Sequence, residues 1–392
     1  MSNNIDQFTP QEVGERLRIA RESAKITQAA AADGINVART TIVAIEQGQR
    51  RIRLDELQRL AITYDTSVNA VLRREAVYVD LKPRFRKGPE KNVEVERATD
   101  TLTRLVQAEI ELESLLGVQR RRNDPPERPL LPGDVAWQAE QDAFELRQWL
   151  GLGLAPVHDI ASLLELQLGA HVFVRKLPAK ISGLYAYVDG PGACILLNAA
   201  HPRDRRAQTA AHELGHYIST RRAPDAVYEG SSDESREERY ANTFARAFLT
   251  PARTVMSKFQ DVTAGASQLT RRHVIILAHT FGVSREAMVR RLEELKLTKA
   301  GTWDWFARNN GITDEQARQV LGVTQSDHEK LEAAQLVPLR LGAMAAEAWR
   351  RKLLSEGQIA RLLGLDRTEV REIVDSCNDE GGDADASLRL PI

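Results

Sequence analysis

Two histidines one helical turn apart, with a glutamate beside the first, make up His212-Glu213-Leu214-Gly215-His216. On a helix both imidazoles project from one face and can hold a single Zn²⁺. Glu213 is placed to take a proton from a water that such an ion has made acidic. The neighbours Ala210, Ala211, Leu214 and Gly215 are small or apolar, so the helix reads as buried, where charged side chains need a partner such as a metal. A catalytic zinc usually takes three protein ligands, and the acids after Ser232 are the candidates for the third. Glu238 is in helical phase with Ala241, Asn242, Ala245 and Phe248, which puts it on the inward face. Glu237 and Glu234 fit better as solvated acids at a helix start, favoured there by the dipole. His201 is a further candidate at the entrance to the His212 helix. Tyr217 and Tyr240 are the nearby hydroxyls that could serve an oxyanion, although packing is the commoner role for such rings.

A second chemistry is written near the N-terminus. Thr27 can cap a helix that begins at Gln28, and Gly34 and Asn36 suit a turn after it. The next helix carries Ile42 and Ile45 inward, which leaves Arg39, Thr40, Val43 and Gln47 on its outer face. Such a face can enter a major groove, where Arg reads guanine, Gln reads adenine and Val meets the thymine methyl. Arg39, Arg50, Arg51 and Arg53 stand against one acid, Glu46, where phosphates of operator DNA would pass.

The elements that must position these groups read as mostly helical. Helices are expected near 38–47, 54–64, 67–73, 93–117, 134–150, 156–167, 202–220 and 233–249, the last stopped by Pro251. Three short β runs, 171–175, 184–188 and 194–198, precede the His212 helix, and a polar loop to 232 follows it. The expected class is α+β. The N-terminal domain, residues 1–90, is an all-α helix-turn-helix bundle. Residues 91–133 are a helical connector with a Pro/Arg-rich linker, expected to be a flexible joint. Residues 134–298 form a zincin-like peptidase domain with a small β-sheet. Residues 299–376 are a helical C-terminal region and 377–392 a disordered tail. Leu102, Leu105, Leu112 and Leu116 line one side of the 93–117 helix, which reads either as the seam of a homodimer or as a face packed on its own domain. A short corner recurs as Gly282-Val283-Ser284-Arg285 and Gly364-Leu365-Asp366-Arg367, a pattern that usually serves packing.

Composition narrows the classes further. The 392 residues carry 54 basic and 55 acidic side chains, which excludes a uniformly basic nucleic-acid coater but not a local basic surface. No apolar run reaches the roughly 20 residues of a membrane span, and the polar start has no secretory core. Cys194 and Cys377 are the two cysteines, too few for a disulfide framework, so a reducing cytoplasm is the expected setting.

Two resemblances add to this reading. Thr27-Gln28, Arg39-Thr40-Thr41-Ile42, Ile45-Glu46-Gln47-Gly48 and Leu54, Leu57, Leu60, Ala61 resemble the Cro/phage-repressor (XRE) helix-turn-helix. The stretch AAAADGIN departs from that family, which places a turn glycine nearer Val37. Ser182-Gly183-Leu184, Asn198, Arg206, the 209–216 run and Glu238-Arg239-Tyr240-Ala241-Asn242 resemble the ImmA/IrrE family of metallopeptidases over about 134–295. That resemblance implies His212, His216 and Glu238 as zinc ligands, Glu213 as general base, and a repressor or antitoxin protein as substrate. Together they imply a DNA-binding regulator with a zinc endopeptidase domain that cleaves a repressor-type protein or itself. The alternative is a non-catalytic antitoxin-like or phage-type repressor whose metal site is structural or sensory. A third reading is an interaction scaffold anchored by Trp303 and Trp305.

Overall fold

The structure is a computed structural model that describes residues 9–64, 66, 68–71, 93–223, 225–228, 235–323 and 338–377. Glu234 and the tail from Asn378 lie outside the described residues. The chain divides into two compact units, residues 1–78 and 79–392, and each is described by itself.

The first unit is helical: α1 (Pro10–Ser23), α2 (Gln28–Ile35), α3 (Arg39–Glu46), α4 (Leu54–Thr63) and the short α5 (Val68–Val71). Leu17, Ile35, Ile42, Ile45, Leu57 and Leu60 fill its core. Thr27 caps α2 by accepting the backbone N–H of Ala30. Gly34 does not break the chain as its type had indicated. It lies inside α2 against Thr63, and Asn36 makes the turn with left-handed φ 61° and ψ 49°. Asparagine tolerates that region because its short polar side chain can bond locally. A buried ion pair locks the corner: the Arg21 guanidinium from α1 donates to Glu46 of α3 at 2.5 and 3.1 Å, and Gln28 of α2 donates to the same carboxylate at 2.9 Å.

The second unit is built on a four-stranded sheet of β1 (His171–Arg175), β2 (Ile181–Val188), β3 (Gly192–Asn198) and β4 (Asp225–Tyr228), in the order β1-β3-β2-β4. β1 runs parallel to β3, and the other pairs are antiparallel. β2 starts earlier than its apolar run, at Ile181, and β4 occupies part of the stretch read as a polar loop. Val227 pairs with Gly183, so hydrogen bonding to β2 overrides a composition that gives no strand signal. Asn198 ends β3 as a staple, accepting from the N–H of Leu177 and of Ala200 and donating to the carbonyl of Ile181.

Both faces of the sheet are covered. Ile195, Leu197, Tyr185 and Val172 face one core with α7 (Val135–Trp149), α8 (Ile160–Leu166), α9 (Arg203–Ser219) and α10 (Arg236–Leu249). Further along the chain, α11 (Ala252–Thr263), α12 (Arg271–Phe281) and α13 (Arg285–Glu294) pack on the same side. Cys194, Leu196, Leu184 and Phe173 alternate to the other face. There they meet α6 (Val93–Leu116) and the C-terminal α16 (Leu339–Arg350), α17 (Glu356–Leu363) and α18 (Arg367–Cys377). This two-sided burial explains why Cys194-Ile195-Leu196-Leu197 is continuously apolar. Between them, α14 (Thr302–Arg308) and α15 (Asp314–Leu321) form a satellite cluster with Phe306, where Trp303 packs while Trp305 stays half-exposed.

One expectation is decided here and one changes. The leucines Leu102, Leu105, Leu112 and Leu116 of α6 are buried against the sheet and the C-terminal helices, so of the two readings the face packed on its own domain holds and the dimer seam does not. Residues 117–133 lack regular structure but are no flexible joint. The N–H of Asn123 donates to Leu168 and that of Arg128 to Ile218, while Asp124 accepts from the hydroxyls of Tyr187 and Tyr217 at 2.6 and 2.7 Å. Proline and charge gave the irregular backbone correctly, but they do not report side-chain anchoring.

A buried ionic cluster joins α6, this strap, β1 and α16. Burial alone would raise the Glu109 carboxyl, but His171, 2.6 Å away, with Arg120 and Arg340, outweighs it and holds the group below its ordinary value. Glu165, nearby on α8, accepts the backbone N–H of Arg340 at 3.2 Å, yet burial pushes its pKa up to about 7. A carboxyl raised on folding contributes stability that is fully present below its unfolded pKa and is lost as pH rises through the folded value. Glu165→Gln should therefore stabilise the protein by about 1–3 kcal/mol at pH near 8.5 and change little near pH 5. Urea unfolding at both pH values checks this, and an unchanged pH slope in the variant would refute the assignment.

Candidate metal centre and DNA interface

The helix α9 is buried from Thr209 to Ile218, with His212, Glu213 and His216 inside it. Facing it, α10 begins at the N-cap Ser235, whose hydroxyl accepts the N–H of Glu238 at 3.2 Å. This cap fixes the first turn and points Glu238 toward the histidines. Nε2 of His212 and Nε2 of His216 are 3.1 Å apart, and the Glu238 carboxylate lies 3.4 Å from the first and 3.2 Å from the second. These are close to the edges of a tetrahedron whose centre is about 2.0–2.1 Å from each donor, the bond length of a zinc-like ion. Two imidazole nitrogens and a carboxylate this close can share one cation, so the donor set fits a metal.

The outer nitrogens fix the tautomers. Nδ1 of His212 donates to Oδ1 of Asn242 at 3.0 Å. Nδ1 of His216 lies 3.1 Å from Oγ1 of Thr220, whose own hydroxyl donates to the His216 carbonyl at 3.4 Å. Each ring therefore carries its lone pair on Nε2, toward the site. Sequence reading placed Asn242 on the apolar stripe and overlooked Thr220. The available signal was spacing: each stands one helical turn after a ligand, Glu238 and His216 respectively.

Two glycines permit the assembly. A Cβ on Gly215 would lie 3.0 Å from Cα of Ala241, so its absence allows α9 and α10 to approach closely. A Cβ on Gly183 of β2 would lie 2.6 Å from Cγ2 of Thr209 and 3.0 Å from Oε1 of Glu213. The sheet thus abuts the carboxylate of Glu213, which is fully buried one residue from His212.

The other candidates separate cleanly. Glu237 is exposed, and the cluster of potential ligands among the described residues is His212, His216 and Glu238 without His201. The hydroxyl of Tyr217 donates to Asp124, and that of Tyr240 donates to Asp142 at 2.8 Å. Burial raises both phenols well above their ordinary value. Both hydroxyls are committed to these carboxylates, as the packing role expects.

A family model described as the IrrE N-terminal-like domain (Peptidase_M78) matches residues 166–293. Residues 166–293 are an IrrE N-terminal-like domain. The match contains all three donors and Glu213. A helix-turn-helix model matches residues 17–71, so the chain also carries an N-terminal helix-turn-helix domain. No curated protein matches the chain. No helix among the described residues is long and apolar enough to cross a membrane.

In that helix-turn-helix domain, Arg39, Thr40 and Gln47 are exposed on or just after α3, and Val43 is half-buried beside them. Arg51 is exposed in the loop that follows. Arg50 departs from its expected place among phosphate contacts: its guanidinium donates twice to Glu56 at 2.9 and 3.1 Å, which fixes the start of α4. A bidentate pair of this kind leaves little net charge for a phosphate.

Asn242→Leu should keep the IrrE N-terminal-like domain folded and weaken its metal affinity about 10–100-fold, as loss of an outer-sphere partner typically does. Gly215→Leu should weaken it further by separating α9 from α10. Competition against a chromophoric chelator measures both, and Asn242→Leu with unaltered affinity would remove Asn242 from the site.

Proposed function

We propose that the chain is a DNA-binding transcriptional regulator with a zinc-dependent endopeptidase domain. The carrying observation is the convergence of two imidazole nitrogens and one carboxylate within 3.4 Å, with the buried Glu213 beside them. His212, His216 and Glu238 would hold Zn²⁺, the ion suited to such a nitrogen–oxygen set. When bound, it supplies Lewis acidity to the scissile carbonyl and to the attacking water. Glu213 accepts the proton of that water and passes it to the leaving amine. Asn242 and Thr220 hold the two rings in the ligating tautomer.

A purely structural or sensory metal site has no use for a base, so the presence of Glu213 beside the donors favours the enzyme over a non-catalytic repressor. The substrate we favour is a separate repressor or antitoxin protein. Self-cleavage in the Pro/Arg-rich segment is disfavoured, because the anchors of Asn123, Asp124 and Arg128 tie that segment down. Operator DNA is read by Arg39, Thr40, Val43 and Gln47, with Arg51 at the phosphates, and pairing of two such chains on half-sites is the expected arrangement. Residues 1–90 are the DNA-binding module in this reading, 134–298 the peptidase and 299–376 a helical addition. The setting is the cytoplasm.

Glu213→Gln should retain one equivalent of zinc and lose hydrolysis by about 10²–10⁴-fold. Glu238→Ala should lose the metal. Mass spectrometry of zinc-loaded protein with repressors encoded nearby checks both, and equal cleavage by the Glu213→Gln variant would overturn the peptidase reading. Arg39→Ala should relax preference at one base position by about 1–3 kcal/mol, whereas Arg50→Ala should destabilise the domain more than it alters DNA binding. Selection from a random-sequence library and thermal unfolding separate the two.

A further inference from the structure

Residues 355–374 repeat the caps, the first helix, the turn and the start of the second helix of residues 27–46, although α18 runs three residues longer than α3, to Cys377. Thr27 and Ser355 are N-caps whose hydroxyls accept the third N–H of an eight-residue helix, at 3.1 and 3.3 Å. The helices are Gln28–Ile35 and Glu356–Leu363. Each ends on a left-handed residue, Asn36 at φ 61° and Gly364 at φ 62°. Next comes a half-buried apolar residue whose N–H reaches back to an alanine carbonyl, Val37 to Ala32 at 3.0 Å and Leu365 to Ala360 at 2.9 Å. The second helix then opens with exposed Arg-Thr in both, Arg39-Thr40 and Arg367-Thr368, and turns Ile42 and Ile45, or Val370 and Ile373, into the core.

The corner at α12–α13 shares the turn, with Gly282 at φ 63°, but is committed to packing. There Arg285 pairs with Asp314, Arg290 with Asp304, and the buried Arg291 with Glu140 and the carbonyl of Thr250. By contrast, Arg367 and Thr368 of α18 are exposed at the places that Arg39 and Thr40 hold in α3, while Arg371, at the place of Val43, is exposed but paired with Glu356, and Glu369 and Glu372 are the exposed acids of the same helix. Beside them runs an open groove of about 1270 Å³, lined by Lys352, Arg361, Arg367 and Arg350, the last paired with Glu347. This exceeds the ~300–1,000 Å³ of small-molecule pockets and suits an extended ligand. Its two acids are engaged: Asp366 caps the N–H groups of Thr368 and Glu369, and Glu356 pairs with Arg371 at 3.1 Å. Arg104 of α6 adds a cation at the turn, 3.4 Å from where a Cβ on Gly364 would lie.

We propose that α17 and α18 form a second helix-turn-helix that binds duplex DNA, with α18 in the major groove and the Arg361/Arg367 side of the groove on the phosphates. This extends the DNA-binding part of the proposed function and takes the α2–α3 corner as its template. One chain then carries two duplex-binding corners, one in each compact unit.

The test uses the full zinc-loaded chain and a fluorescein-labelled random-sequence duplex roughly two helical turns long, titrated by anisotropy at several salt concentrations. The Arg361→Ala/Arg367→Ala double variant should bind several-fold more weakly, with the slope of log K against log salt reduced by about 1–2. Arg367→Lys should retain most of the affinity, since phosphate contact needs charge. Residual binding in Arg39→Ala should disappear when the double substitution is added. Unchanged affinity and slope in the double variant, with circular dichroism showing it folded, would overturn the proposal. Displacement of the duplex from the Arg39→Ala chain by polyglutamate at charge-equivalent concentration would overturn it too, in favour of an acidic protein partner. If Arg39→Ala alone has no effect and the double variant loses all binding, the α3 assignment fails and this one stands.

Discussion

The architecture of the second unit depends on how closely α9 and α10 can approach. One donor pair comes from α9 and the third donor from α10, so the centre exists only while the two axes stay in contact at Gly215 and Ala241. The far end of α10 is held as firmly as its start. The buried guanidinium of Arg147 donates to the carbonyl of Phe248 at 2.6 Å, and that of Arg291 donates to Thr250 at 3.1 Å. Two cations thus sit at the negative end of the helix that presents Glu238, where backbone carbonyls lack partners of their own. Burial lowers the pKa of Arg147 to about 10, still far above neutrality, so this clamp keeps its charge.

The sheet contributes to the same centre from the opposite direction. Gly183 of β2 meets Glu213, and β2 is itself flanked by β3 and β4. The position of the base is therefore set by strand pairing, and that of the ligands by helix packing. The strap of residues 117–133 couples the two. Asp124 receives hydroxyls from Tyr187 of β2 and Tyr217 of α9, next to His216. Arg122 completes the carboxylate's environment at 2.6 Å and, with the two tyrosines, outweighs burial to hold its pKa below the ordinary range.

Much of this was legible in the residues. The His212/His216 spacing and the helical phase of Glu238 are local properties, and a helix of fixed pitch carries them directly into space. The apolar runs around Val172, Tyr185 and Ile195 likewise located three strands. What could not be read were features decided by partners distant in sequence. β4 is a strand because β2 offers it an edge, and the strap is anchored by tyrosines far along the chain. Asn36 shows an intermediate case: its type permits a left-handed turn, but Gly34 is the stronger local signal, and only packing against Thr63 shows that Gly34 is helical.

The cover of the sheet's second face has a consequence for biosynthesis. Phe173, Leu184, Cys194 and Leu196 rest on α6, made before the strands, and on α16 to α18, made after them. While the ribosome is still extending the chain from Asn198 to Leu341, that face has only half its shield. The emerging polypeptide therefore carries an apolar β surface that a nascent-chain chaperone can recognise. The cover of that face is therefore completed only once Leu341 and Ile359 have been made, later in the chain than the His212 helix.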